Sequence, residues 1–170
     1  PHAVPATTFT QAPRQNFIDE FVIAKLQALN VPPSPRCRDG EFLRRAHLDT
    51  IGTLPTVDEV RTFLDDPDPL KRQKLVEDLL TRPEFVDYWT YQWSDLLLLS
   101  GSRLRPTALD AFYAWIRERV QDNAPWDEFA RGVILAKGST FDNGAANFYA
   151  LHQDPQDMSE TVSMAFLGMS

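Results

Sequence analysis

The sequence predicts an all-α protein: a single orthogonal-type multi-helix bundle with an extended N-terminal arm. Three observations carry that expectation. Apolar residues recur at spacings of three and four along most of the chain. No stretch alternates apolar and polar residues between hairpin turns. Helix start and stop signals punctuate the sequence at short intervals. With 170 residues, 43% of them apolar and 24% charged, the chain is large enough to bury a core of ordinary globular kind.

Residues 1–15 read as an arm or linker, because Pro1, Pro5 and Pro13 fall among small polar residues with no apolar period. The helical domain is placed at residues 16–170. Asn16 is an N-cap, with Asp19 and Glu20 in the first turn where the helix dipole favours acids. Phe17, Ile18, Phe21, Val22, Leu26 and Leu29 form the stripe that follows, and Pro32 and Pro33 end it. Asp39 caps the next helix, whose buried side is Phe42, Leu43, Ala46 and Ile51, and Gly52 stops it. Thr56 and Glu59 make a capping box that opens a short helix through Val57, Val60 and Leu64. Asp68 followed by Pro69 is cap plus first-turn proline for a helix facing inward with Leu75, Val76, Leu79 and Leu80.

Pro83 starts a helix in which Phe85, Trp89, Trp93 and Leu97 recur every fourth residue. Residues 107–122 carry Leu109, Phe112, Ile116 and Val120 on one side. Asn123, Pro125 and Trp126 open a helix with Phe129, Val133 and Ile134, closed by Gly138. A looser segment and a helical turn around Phe148 lead to a last helix at residues 156–168, with Met158, Val162, Ala165 and Phe166 on one face. No repeat at solenoid spacing is present.

Composition narrows the function. The net charge of −7 argues against a phosphate-backbone partner, and the basic doublets Arg44-Arg45 and Lys71-Arg72 stand beside acids as solvated faces. Cys37, in the run Pro32-Pro33-Ser34-Pro35-Arg36-Cys37, is the single cysteine, so it reads as a free surface thiol and excludes an intrachain disulfide or a Cys-x-x-Cys site. No apolar run reaches the roughly 18 residues of a membrane span, and Leu96-Leu97-Leu98-Leu99 is too short. The chain begins at Pro1 without a signal peptide, which reads as a processed or cut polypeptide.

The side chains that carry chemistry elsewhere have structural readings here. His2 lies in the arm, His47 is a packing or partly exposed helix residue, and His152 places favourable charge near a helix end; no two are spaced as a zinc pair. Asp65, Asp66 and Asp68 are interrupted by proline and serve as linker and caps rather than a calcium loop. Trp89, Trp93 and Trp126, with Tyr88, Tyr91 and Tyr113, are expected in the core, and Trp115 is set apart because it lies off the Phe112–Ile116 stripe. No catalytic, cofactor-binding or metal residue is assigned, and a non-catalytic role is favoured over an enzyme.

Several strings occur together in order. They are Phe17-Ile18-Asp19-Glu20-Phe21 with Ala24-Lys25-Leu26, Leu43-Arg44-Arg45 with Leu48-Asp49, and Gly52-Thr53-Leu54-Pro55-Thr56 with Glu59-Val60 and Phe63-Leu64. Lys74-Leu75-Val76 with Leu79-Leu80, Pro83 with Trp89 and Trp93, and Pro125-Trp126-Asp127-Glu128-Phe129 complete the set. Together they resemble the cytochrome-c-like, domain-of-unknown-function family of large exported planctomycete proteins, from about residue 16 to the end. The resemblance implies a module of a secreted, periplasmic or cell-surface multidomain protein. It also implies a Cys-x-x-Cys-His segment after a Phe-Leu-Gly motif such as Phe166-Leu167-Gly168, so the native polypeptide is expected to continue past Ser170.

Three functions follow as expectations, and a polymer-acting enzyme domain ranks last of them. The favoured one is a helical scaffold or interaction module, partnered by other domains of its parent or by another protein, with no cofactor in this segment. The alternative is the helical wall of a c-type cytochrome-like electron-transfer unit, with Met164, Met169 and His152 as conceivable axial ligands to a haem held beyond this segment.

Overall fold

A computed structural model describes residues 4–169. Its regular structure is ten α-helices and two shorter helical turns, and no strand occurs among the described residues. The all-α class expected from the periodicity is the observed one. Pro1, His2 and Ser170 lie outside the described residues. The chain divides into two compact units, residues 1–39 and 40–170.

The first unit corrects the expectation of an extended arm. Ala6–Thr10 form a short helix, α1, which packs on α2 (Phe17–Ala28). Phe9 is the reason: it is buried with Ala12 and Ile23 in a small core flanked by Val4 and Leu26. Pro5 stands just before the helix, where its fixed φ and missing N–H cost nothing. The Val4 N–H donates to Asn30 Oδ1 at 2.8 Å and ties the start of the unit to the end of α2. Asn16 caps α2 as expected: Asn16 Oδ1 accepts from the Ile18 N–H, and Asp19 Oδ2 accepts from the N–H groups of Gln15 and Asn16. Those two backbone donors hold the Asp19 carboxyl below its ordinary range.

The expected core stripe of α2 is overturned. Phe17 is 73% and Phe21 72% exposed, and Ile18, Val22 and Leu29 are exposed as well. Of that stripe Leu26 does pack on the small core, beside Ile23, which the stripe did not include. Residues 31–38 then run without regular structure.

The second unit contains α4 (Val57–Asp65), α5 (Lys71–Thr81), α6 (Pro83–Leu96), α7 (Pro106–Gln121), α8 (Trp126–Ile134), α9 (Asn147–Leu151) and α10 (Pro155–Val162). It begins within α3 (Asp39–Ile51). A 3-10 turn at Gly144–Ala146 precedes α9, and a π-helical turn at Ser163–Leu167 extends α10. The last helix expected at 156–168 is therefore two segments, ended by Gly168 at φ +62°. Helix α5 starts at Lys71 rather than Pro69, because Asp68 Oδ1 accepts from the Leu70 N–H and closes a turn first. In α4 the buried residue is Phe63, while Val57 and Leu64 are exposed; in α5 it is Leu79, while Leu80 is exposed.

The main core is built round α7. Phe112 and Ile116 are fully buried with Leu97, Phe129, Val133, Phe148 and Leu151. Helices α6 and α7 are the most extensively packed pair, and α6 turns two small residues to the interior, Thr90 and Ser94. Their hydroxyls donate to carbonyls one turn back, Val86 O at 2.6 Å and Thr90 O at 2.7 Å, so neither is left unsatisfied on burial. On the other side α7 meets the 3-10 turn, and a Cβ on Gly144 would lie 2.2 Å from the Ala111 carbonyl oxygen.

Candidate functional site

Three features of the second unit bring polar or aromatic side chains together. The first grows from the joint between α3 and α4. Gly52, at φ +71°, ends α3 under the ring of Tyr88, where any Cβ would collide with Tyr88 Cδ2 at 2.2 Å. The chain then crosses to Thr56, which caps α4. Glu59 Oε2 accepts from the Thr56 N–H at 2.7 Å and from its hydroxyl at 2.8 Å, and the Glu59 N–H donates back to Thr56 Oγ1. The other carboxylate oxygen, Oε1, accepts from Arg82 Nη1 at 2.7 Å. Arg82 in turn grips Asp78 through Nε at 2.9 Å and Nη2 at 2.8 Å.

His47 stands behind this pair, buried to 1% exposure. Its Nδ1 lies 3.0 Å from Leu43 O, and its Nε2 lies 3.7 Å from Glu59 Oε1. The Thr56 backbone bond above all, then the Thr56 hydroxyl and Arg82, hold the Glu59 carboxyl down at about 2. Partial burial opposes the charge of Arg82, but its bonds to Glu59 and Asp78 prevail and raise its pKa. The arrangement fixes a charged network among α3, α4, α5 and the start of α6.

The second feature is a cleft of about 660 Å³ between the joint of α5 and α6 and the last turns of α7. Among the described residues, Arg82 and Arg117 are its only charged lining residues. Arg117 is ion-paired with Asp87, which raises its pKa further above the ordinary range.

The third is an aromatic array. Trp93 lies 6.5 Å from Trp89 and 4.4 Å from Trp126, centroid to centroid. Trp126 stacks on Phe129 at 5.4 Å with 9° between the planes, and Phe166 and Trp115 close the group at 5.5 Å from Trp126 and 5.3 Å from Phe129. Trp89 Nε1 donates to Thr50 O at 3.1 Å. Trp89 and Trp93 are half-buried in this array, whereas Tyr91 and Tyr113 are exposed rather than in the core. Trp115, set apart by its position off the stripe, packs on the core after all. Gly132 makes the room: a Cβ there would sit 2.7 Å from Trp115 Cζ2.

The other sequence candidates are scattered. His152 is 1% exposed beside the Phe148 ring, and neither ring nitrogen has a hydrogen-bond partner among the described residues. Burial pushes its pKa down, so it is a neutral core ring and not a charge at a helix end. Asp66 and Asp68 close the α4–α5 loop, the first accepting from the Asp68 N–H and the second bound by Lys74. Cys37 is partly buried in the irregular end of the first unit. Met164 and Met169 are exposed near the C-terminal turn. The tie between Glu59 and Arg82, 23 residues apart, had no local signal; the capping box that orients Glu59 did.

The chain belongs to the PSCyt2 family, described as proteins of unknown function (DUF1549), whose model matches residues 17–170. The match starts at the first residue of α2. No curated protein and no solved structure matches the chain.

Proposed function

We propose that this family member is a non-catalytic helical interaction module that works by docking a protein surface, another domain of its parent or a separate chain. The observation that supports this is the exposed face of α2. Phe17, Ile18, Phe21 and Val22 are at the surface, outside the small core of Phe9, Ala12 and Ile23 that holds their own unit. An aromatic side chain buries about 150–250 Å² on average. Two phenylalanines more than 70% exposed therefore leave on the order of 250 Å² of apolar surface, which the aliphatic neighbours bring into the range of roughly 300–600 Å² where patches mark interaction sites. The charges of Glu59, Arg82 and Asp78, by contrast, are tied to one another.

The experiment compares the wild-type chain with Phe17→Ser/Phe21→Ser. Helix content by circular dichroism is expected to be the same for both. The wild type is expected to self-associate in light scattering or to co-purify with the rest of its parent polypeptide, and the variant to do neither. Equal association by both proteins refutes the docking role of α2. The second reading, a wall of a c-type cytochrome-like unit in an exported protein, rests on the resemblance. An absorption spectrum of the full-length protein, from a host that matures c-type haem, tests it.

A further inference from the structure

We propose that the cleft between the α5–α6 joint and α7 binds a small organic carboxylate. Its volume of about 660 Å³ falls within the roughly 300–1,000 Å³ of small-molecule sites. The composition of its wall is selective. The chain holds 24 acids against 17 lysines and arginines, yet no acid lines this cleft, and its two charged residues are both arginines. They come from different elements, Arg82 at the start of α6 and Arg117 near the end of α7.

Each guanidinium is held by acids that do not line the cleft. Arg82 donates one N–H to Glu59 and one to Asp78, with Nη2 in ion-pair contact with the same Asp78 oxygen, and Arg117 is paired with Asp87. A guanidinium has five donors in a fixed fork, so both keep N–H groups for a second acceptor while the acids fix their position. Two such forks lining one cleft match the planar, two-oxygen geometry of a carboxylate. Thr81, Gln121 and Asn123 add neutral polar groups, and Phe85 and Val120 give an apolar wall for the rest of the molecule. Because the paired acids cancel much of the net charge, the attraction is directional and short-ranged. An acyl or aryl carboxylate therefore fits better than a bare inorganic ion.

The test is titration of the whole chain with hexanoate, acetate, hexanol and inorganic phosphate, followed by amide and side-chain NMR shifts. Hexanoate is expected to shift Val86, Val120 and Gln121 saturably, and to bind at least tenfold more tightly than acetate, hexanol or phosphate. Arg117→Gln, on an exposed side chain, is expected to weaken hexanoate at least tenfold, in line with the loss of a charge-assisted bond. Asp87→Asn keeps the guanidinium and is expected to hold affinity within about threefold. Val120→Phe fills the cleft and abolishes the shifts. Equal binding of hexanol and hexanoate overturns the proposal. So does tighter binding of phosphate, the absence of saturable shifts, or a loss with Asp87→Asn as large as with Arg117→Gln.

Discussion

Replacing Glu59 by glutamine removes one charge from the network and leaves its shape. A carboxyl carried from 4.5 to about 2 by folding is linked to roughly 3 kcal/mol of stability as an upper bound. The side chain is 30% exposed, and water screens such a pair, so about 1–2 kcal/mol is expected in practice. The sign follows from the depressed folded-state value. The contribution is complete above the unfolded pKa and disappears as the pH falls through the folded one, a window from about pH 5 to pH 2. Urea unfolding followed by circular dichroism measures it. Wild type should exceed Glu59→Gln by about 1–2 kcal/mol near neutral pH, and the gap should close as the pH drops towards 2. Glu59→Ala also deletes the bonds that the side chain accepts from Thr56 and should cost a further increment of about 1 kcal/mol that survives in acid. A wild-type advantage over Glu59→Gln that is the same near pH 3 as near pH 7 would show that the charge is not what holds these helices.

Gly144→Ala should cost about 2–3 kcal/mol in the same assay, because the new Cβ meets backbone at 2.2 Å; Gly40→Ala, with open space around it in α3, should stabilise by up to about 1 kcal/mol. Equal effects at the two glycines would refute the close approach of α7 to the 3-10 turn. Trp93→Ala should cost about 3 kcal/mol and Trp126→Ala distinctly less, since Trp126 is 44% exposed; the reverse order in denaturant midpoints would contradict the array. Brief trypsin treatment should cut first after Arg36 and Arg38, both exposed in the irregular 31–38 segment. It should leave residues 40–170 folded, as mass spectrometry and circular dichroism of the fragment would report.

Helix positions were legible in the sequence where a single residue sets the backbone. Asn16, Thr56, Pro83 and Gly52 act through hydrogen bonds or φ values that neighbours alone determine, and each starts or stops a helix where expected. Which face of a helix is buried was less legible. An apolar stripe says that a side avoids water, not which partner covers it, and on α2 the partner α1 takes Ile23 and leaves Phe17 and Phe21 out. Helix α1 was missed because one phenylalanine has no period to detect. The candidate sites were the least legible of all. Glu59 was visible only as a cap, and nothing local joins it to Arg82, or Arg82 to Arg117 across the cleft.

Helix α6 connects these features and explains why the second unit needs all of them. Its first turns lie against the charged network, with Tyr88 over Gly52 and the Trp89 indole N–H on the Thr50 carbonyl. One turn further on, Trp93 enters the aromatic array with Trp126 and Phe129 of α8, and Phe166 reaches that array from the C-terminal turn. An adjoining side of the helix sets Thr90 and Ser94 in the interior, where α6 packs closely on α7. No residue of α6 can be shifted by one position without losing either the array or that close approach, because helical side chains three and four apart share a face. The charged network and the main core are thus held in one register by a single rigid element. A perturbation at Glu59 should therefore be felt at the Trp93–Trp126 contact, and tryptophan fluorescence and far-ultraviolet circular dichroism of residues 40–170 should trace one coincident unfolding transition. Two separated transitions would mean that α6 breaks between Trp89 and Trp93, and that the network folds apart from the core.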